Sequence, residues 1–215
     1  MTDLLDPLPA EPGTRRKANT RARLVRASLP VFVNRGIDGA TIDDLVSAAG
    51  FTRGAFYSNF SRKEEVFHAL FEMVTSEIIE QISGALPPDA DALSTQRDSE
   101  RMVGIFEAIR PFGRQWYLLY SEAVTHAMRS EEARDQLNVQ RHRLHDVIAE
   151  TLQRGMELTG QRSVIPLRSL AQTLMGIYVD LMVQEQMDGA DVTEISGRLI
   201  LGTLEAFLEP VPAEE

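Results

Sequence analysis

The sequence predicts an all-α protein in two parts: a small N-terminal domain of three helices carrying a helix-turn-helix, then a larger helical domain. Three observations carry this. Residues able to start a helix stand close together at Thr41, Thr52 and Ser61, and each hydroxyl can accept from a free amide in the following turn. Past them, apolar residues keep helical spacing over most of the chain, and no stretch alternates as a strand does. Charge is divided as well: residues 13–63 hold ten Lys and Arg against three Asp and Glu, inside a chain whose net charge is -10.

The elements follow in order. Residues 1–13 carry three prolines and little periodicity, and a disordered leader is expected. The small N-terminal domain is placed at 14–62 and the larger domain at 63–215. Arg15, Arg16 and Lys17 form a basic arm able to lie on DNA phosphates or in a minor groove. A first helix is expected over about 20–35, with Leu24, Ala27, Val31 and Phe32 on one face and a kink at Pro30. Gly36 offers it a left-handed stop.

Thr41 with Asp44, and Ser61 with Glu64, have the spacing of capping boxes. Gly50 stands in the gap between the first two short helices, where a sharp turn needs a residue without a side chain. This arrangement describes a helix-turn-helix whose second helix enters a DNA groove.

Helix 4 starts after Ser61 and is broken by the Gly84–Asp89 stretch; it is a plausible mechanical link between the domains. One further helix is closed by Pro111, a nearly all-apolar one spans about 115–128, and Ser130 caps the next. Pro166 suits a first helical position, and the helix it opens has two apolar faces, one more than packing on its own core requires. The last helix is expected to be capped by Asp191 with Glu194.

On the second helix of the motif, Ala55, Phe56 and Phe60 face inward or fill space. Arg53, Gly54, Tyr57, Ser58 and Asn59 are left to face DNA. Arg53 can pair with guanine O6 and N7, a contact contributing about 1–3 kcal/mol of discrimination. Gly54 and Ala55 let the helix sit deep, Ala55 can meet a thymine methyl, and Ser58 specifies weakly. Asn59 can bond a phosphate or an adenine edge.

Residues 20–67 resemble the DNA-binding domain of the tetracycline-repressor (TetR) family, AcrR-like regulators included. The resemblance rests on Leu24, Ala27, Phe32, Gly36, Thr41, Ile42, Leu45, Ala48-Ala49-Gly50, Arg53-Gly54-Ala55-Phe56-Tyr57, Phe60, Lys63, Glu64 and Phe67. It covers about a quarter of the chain, and Pro30 departs from the family pattern. The resemblance implies phosphate contacts for Thr41, Thr52, Tyr57, Asn59 and Lys63. It implies a homodimer through the last two helices, binding a palindromic operator with half-sites about one helical turn apart. It also implies a repressor released by a small, largely apolar effector; an activator or an effector-independent regulator is the alternative.

By the same analogy, Met102, Phe106, Phe112, Trp116, Tyr120, His126, Met175, Tyr178 and Met182 could line an effector pocket, being apolar with a few polar tips. Composition bounds the rest. The chain has no cysteine, which excludes disulfides and thiolate chemistry and suits a reducing compartment. It lacks the features of a signal peptide and a membrane-length apolar run, so a cytoplasmic protein off the membrane is expected. No phosphate loop, nucleophile elbow or metalloprotease motif is present. The histidines do not form a closed ligand set. No enzyme, cofactor or metal is expected.

Overall fold

The computed structural model describes residues 16–84 and 98–211. The expected leader, Arg15 and most of the 84–89 break lie outside them, as do the side chains of Arg16, Lys17 and Met102.

The described chain is helical almost throughout. Its helices are α1 (Arg16–Ala27), α2 (Leu29–Gly39), α3 (Ile42–Ala49), α4 (Arg53–Tyr57), α5 (Lys63–Gly84), α6 (Asp98–Ile109), α7 (Gly113–Ala127), α8 (Glu131–Thr159), α9 (Leu167–Asp188) and α10 (Thr193–Phe207). One 3-10 turn, Arg110–Phe112, joins α6 to α7, with Pro111 in its first turn.

Contacts gather the chain into two compact units, residues 1–77 with 115–140, and 78–114 with 141–215. The first holds the helix-turn-helix and draws in the start of α8 and most of α7.

In that unit Leu24, Leu45, Phe56, Val66, Phe67 and Leu70 are wholly excluded from solvent. Fully burying an aliphatic or aromatic side chain contributes roughly 1.5–3 kcal/mol. Phe32 meets Phe67 edge-on at 5.3 Å, a favoured aromatic geometry.

The expected single, kinked first helix is instead two. α1 stops at Ala27 and α2 restarts at Leu29. Pro30 has no N–H to give to Arg26, so the helix cannot run through it; in the first turn of a new helix that loss is harmless. Ser28 fills the joint: it is buried, and its hydroxyl donates to the Val25 carbonyl at 2.6 Å. Gly36 does break the helix, at φ 66° and ψ -177°, and a further turn reaches Gly39.

The Thr41 capping box forms in full, and Gly50 closes α3 in the left-handed conformation. Thr52 accepts from Ala55 N at 3.2 Å to start α4. The Ser61–Glu64 box is replaced: α5 begins at Lys63, and it is Glu65 that reaches back to Ser61 N, at 3.0 Å.

In the second unit α6 and α9 both pack on α10. The core takes Ile105, Phe106, Leu170, Leu181, Met182, Ile200 and Leu204. The expected capping by Asp191 with Glu194 does not form: the N-cap of α10 is Val192, without a side-chain bond, and Asp191, one residue earlier, accepts from Thr193 N at 3.0 Å. Against the expectation of no strand, β1 (Gln161–Ser163) and β2 (Leu208–Pro210) pair antiparallel, Arg162 opposite Glu209. Three residues per strand are too few to leave an alternating signature.

Candidate nucleic-acid interface

The local chemistry of α3, the turn and α4 fixes what the motif can present. Thr52 at the N-cap holds the start of α4, and Phe56 anchors the helix from below with no exposure. Phe56 lies against Phe60 at 6.0 Å and Tyr57 at 5.3 Å. Burying Phe56 sends Arg53, Gly54, Tyr57 and Ser58 outward, and all four are exposed. Tyr57, at 57% exposure, carries a polar tip into solvent where a core aromatic would hide it.

Arg53 is not free in this arrangement. Its Nε donates to Asp43 Oδ1 at 2.6 Å and its Nη2 to Asp43 Oδ2 at 2.7 Å. The carboxylate, chiefly through these hydrogen bonds, raises the guanidinium pKa further above its ordinary value. Asp43 was not among the residues expected at the site; its ten-residue separation from Arg53 matches no local spacing rule.

Two expected phosphate ligands are turned to structural work. Lys63 Nζ donates to the carbonyls of Asp38 at 3.1 Å and Ala40 at 2.9 Å. An ammonium has three N–H groups, so one remains. Asn59 is half-buried, and its amide donates to Ala55 O at 2.8 Å and to Ser58 Oγ at 3.1 Å. The helix end that Asn59 closes is short of backbone partners, which is why its donors turn inward.

Ser58 donates to Ala55 O at 2.9 Å. Thr41 and Asp44 hold each other, and these bonds, with Arg35 adding to them, keep the Asp44 carboxyl below its usual range. Gly54 is exposed and Ala55 half-buried, so the outer surface of α4 is low. Of the expected basic arm, Arg16 and Lys17 lie in the first turn of α1. Farther along α1 the cations are used: Arg21 stands over the Phe60 ring at 4.6 Å and Arg23 over Phe51 at 5.1 Å.

The residues expected to line an effector pocket fall into both units. In the first, Trp116 stacks on Tyr120 at 4.8 Å and His126 on His68 at 5.8 Å. In the second, Phe106 meets Tyr178 edge-on at 5.6 Å, and Met182 is fully buried. Gly113 makes room for that cluster: a Cβ there would stand 2.0 Å from Met182 Sδ. Burial pushes the Tyr178 phenol pKa upward, and its hydroxyl donates to Ile109 O at 3.4 Å. Phe112 and Met175 are half-buried.

A cleft of about 350 Å³ does open in the first unit, between α1, α5, α7 and α8. Arg21, His68, Phe71, Glu72, Gln136 and Leu137 are among its walls, and none of the nine expected residues is. Among the described residues no group of three or more His, Asp or Glu could hold a metal ion. Nor is any described helix long and apolar enough to cross a membrane.

Known proteins resemble this chain in sequence and in fold. Residues 24–70 match the family described as bacterial regulatory proteins, tetR family. The uncharacterized HTH-type transcriptional regulator YvdT of Bacillus subtilis is 35% identical over 69 residues, which are 32% of this chain and 36% of that protein. The match thus spans about a third of that relative's length. A second B. subtilis protein, the uncharacterized HTH-type transcriptional regulator YfiR, is 25% identical over 194 residues, covering 87% of this chain and 93% of its own. Among solved structures, a TetR-family transcriptional regulator from Mesorhizobium loti superposes with TM-score 0.73 at 16% identity, over 91% of this chain and 99% of that one.

Proposed function

We propose that the chain is a helix-turn-helix transcriptional regulator of the TetR family, whose model residues 24–70 match, and that it is a homodimeric repressor which binds a palindromic operator and leaves it when a small, largely apolar effector binds. The observation that carries the DNA half of this reading is the pair of formed caps, Thr41 and Thr52, with Arg53, Gly54, Tyr57 and Ser58 all outward. A cap fixes where α4 begins and so which residues face the groove. In this reading Arg53 reads a guanine. Tyr57, Thr41, Thr52 and the remaining Lys63 N–H hold phosphates, which position the helix without reading sequence.

The dimer is supported by apolar surface on the last two helices. Ile195 and Leu199 on α10 are 43% and 40% exposed, and Leu174 and Ile177 on α9 are only half-buried. Exposed apolar residues repeating along adjoining helices are what a subunit interface leaves open in a lone chain. Two copies would present two α4 helices to successive major grooves about one helical turn apart. An effector must then bind the DNA-incompetent state more tightly than the competent one.

The test is a selection of bound sites from randomised duplex DNA, with sedimentation of the protein alone. A palindromic consensus and a dimer are expected, and Ile195→Glu with Leu199→Glu should give a monomer that selects no paired half-sites. A monomeric wild-type protein, or a consensus without symmetry, would overturn the dimer. For the effector, operator affinity is measured across a panel of apolar small molecules. Release by at least one is expected, and a panel without effect counts against the switch.

A further inference from the structure

We infer that Asp43 is a specificity-determining positioning residue, which aims the Arg53 guanidinium at one base edge. This rests on the reading of Arg53 as the base reader. The fork is specific in how it divides the donors. A guanidinium has five N–H groups. Asp43 takes the Nε–H and one on Nη2, both within 2.7 Å. The Nη1–Nη2 edge keeps two parallel N–H groups, and that edge matches guanine O6 and N7. The other bidentate edge, Nε–Nη2, is closed. While the fork holds, the long side chain of Arg53 is biased toward one presentation.

Stability gives no comparable reason for the pair. Both side chains are 62% exposed, and surface ion pairs of that kind add little to folding. Its electrostatic effect on binding is unfavourable, because an acidic group on the face meant for phosphates repels them. Asp43 does lie in the first turn of α3, where a carboxylate favours the helix. That role needs no contact with Arg53, and Asp44, one residue on, already fills it through the capping box. What remains for Asp43 is orientation: it limits Arg53 to a base that offers two acceptors and lowers its value as a general phosphate ligand.

The experiment is selection of bound sites from randomised duplex DNA at fixed salt by the wild type, Arg53→Ala, Asp43→Ala, Asp43→Asn and the double Ala variant. Affinity for a non-specific duplex is measured alongside. Arg53→Ala should flatten preference at one base pair per half-site by about tenfold. Asp43→Ala should flatten the same base pair and bind non-specific duplex more tightly than the wild type. The double variant should be no flatter there than Arg53→Ala. Asp43→Asn, which keeps one acceptor and the shape, should fall between. If Arg53→Ala flattens preference while Asp43→Ala leaves it intact, or changes a different base pair, the positioning role is overturned and Arg53 remains the reader. If Arg53→Ala leaves preference unchanged, the reading of Arg53 falls and this inference with it. A purely structural Asp43 would lower the melting temperature and leave preference as it was, which also overturns the role.

Discussion

Glu122, in the middle of α7, accepts a hydrogen bond from the backbone N–H of Ile37 at 3.1 Å. The two residues are 85 positions apart in the chain, and the bond lands where α2 is broken by Gly36. Gly36 has φ 66° and ψ -177°, a region that essentially only glycine occupies. A Cβ at Gly36 would stand 2.8 Å from Glu122 Oε1. So α7 grips the helix-turn-helix where the break at Gly36 frees an amide for it. Gly36→Ala is expected to cost about 1–3 kcal/mol from strain, with the clash added. Glu122→Ala leaves the Ile37 amide without its partner, at about 1–3 kcal/mol. Combined, the two should cost less than their sum, because removing Glu122 relieves the clash and leaves only the strain. Denaturant melts of the four proteins check this, and strict additivity would refute the contact.

Lys63 supports the other end of the same turn. Its ammonium draws the carbonyls of Asp38 and Ala40 together just before α3. Lys63→Met keeps the apolar stem and removes the donors. Hydrogen bonds to a charged group contribute about 1.5–3 kcal/mol, and relief of a cation at the start of α5 offsets part of that. A net loss of about 1 kcal/mol, or a fall of roughly 2–4 °C in Tm, is expected for a chain of this size. Operator affinity should fall for every sequence alike, with preference unchanged. A thermal melt and a binding-site selection measure the two effects separately.

Those residues also mark what sequence alone can give. The caps at Thr41 and Thr52 were legible because each needs only a partner three residues on, so spacing carries the information. Gly50 was legible for the same reason: the turn that needs it is bounded by those caps. The missing donor of Pro30 is visible in sequence and predicts a kink, whereas the Ser28 joint that lets the helix restart depends on tertiary burial. Asp43 and Glu122 were not legible. Their partners lie 10 and 85 residues away, and nothing in a charged residue on a helix names its partner. The effector site rests on family analogy and apolar character, and apolar character does not distinguish a packed cluster such as Phe106, Tyr178 and Met182 from a lining.

In the second unit Arg110 is the residue most worth removing. From the turn after α6 it donates to Glu185 at 2.6 and 2.9 Å and to Thr193 Oγ at 2.6 Å. Arg110 and Glu185 are only 20% and 22% exposed, so the pair is partly desolvated. Arg110→Met should cost about 1–3 kcal/mol, chiefly because Glu185 loses its partner. Adding Glu185→Gln should restore part of the loss, since the stranded charge goes with it. If the double variant melts lower than Arg110→Met, the stranded-charge explanation is wrong.

Acidification should loosen the first unit at a pH set by histidine. His68 stacks on His126 at 5.8 Å, and the Nδ1 atoms of both are buried without a partner. Burial, and secondly the His126 ring, hold the His68 pKa below its ordinary 6.5. Arg62 acts in the same direction, while Glu132 and Glu64 oppose it. A histidine whose folded pKa lies below its unfolded one binds fewer protons folded than unfolded, so stability falls as pH drops from about 6.5 through the folded value. The Glu132 carboxyl is also held low, first by its hydrogen bond from Arg62, but its contribution is lost only below its ordinary 4.5. The two windows are therefore separable. His145, in the other unit, is held low by burial and then by Arg141, and adds a loss of the same sign. His68→Gln should flatten the dependence of Tm on pH between about 7.5 and 5, and His68→Gln with His145→Gln should flatten it further. Thermal melts across that range decide it: a wild-type Tm unchanged down to pH 5 would show that neither ring titrates against folding.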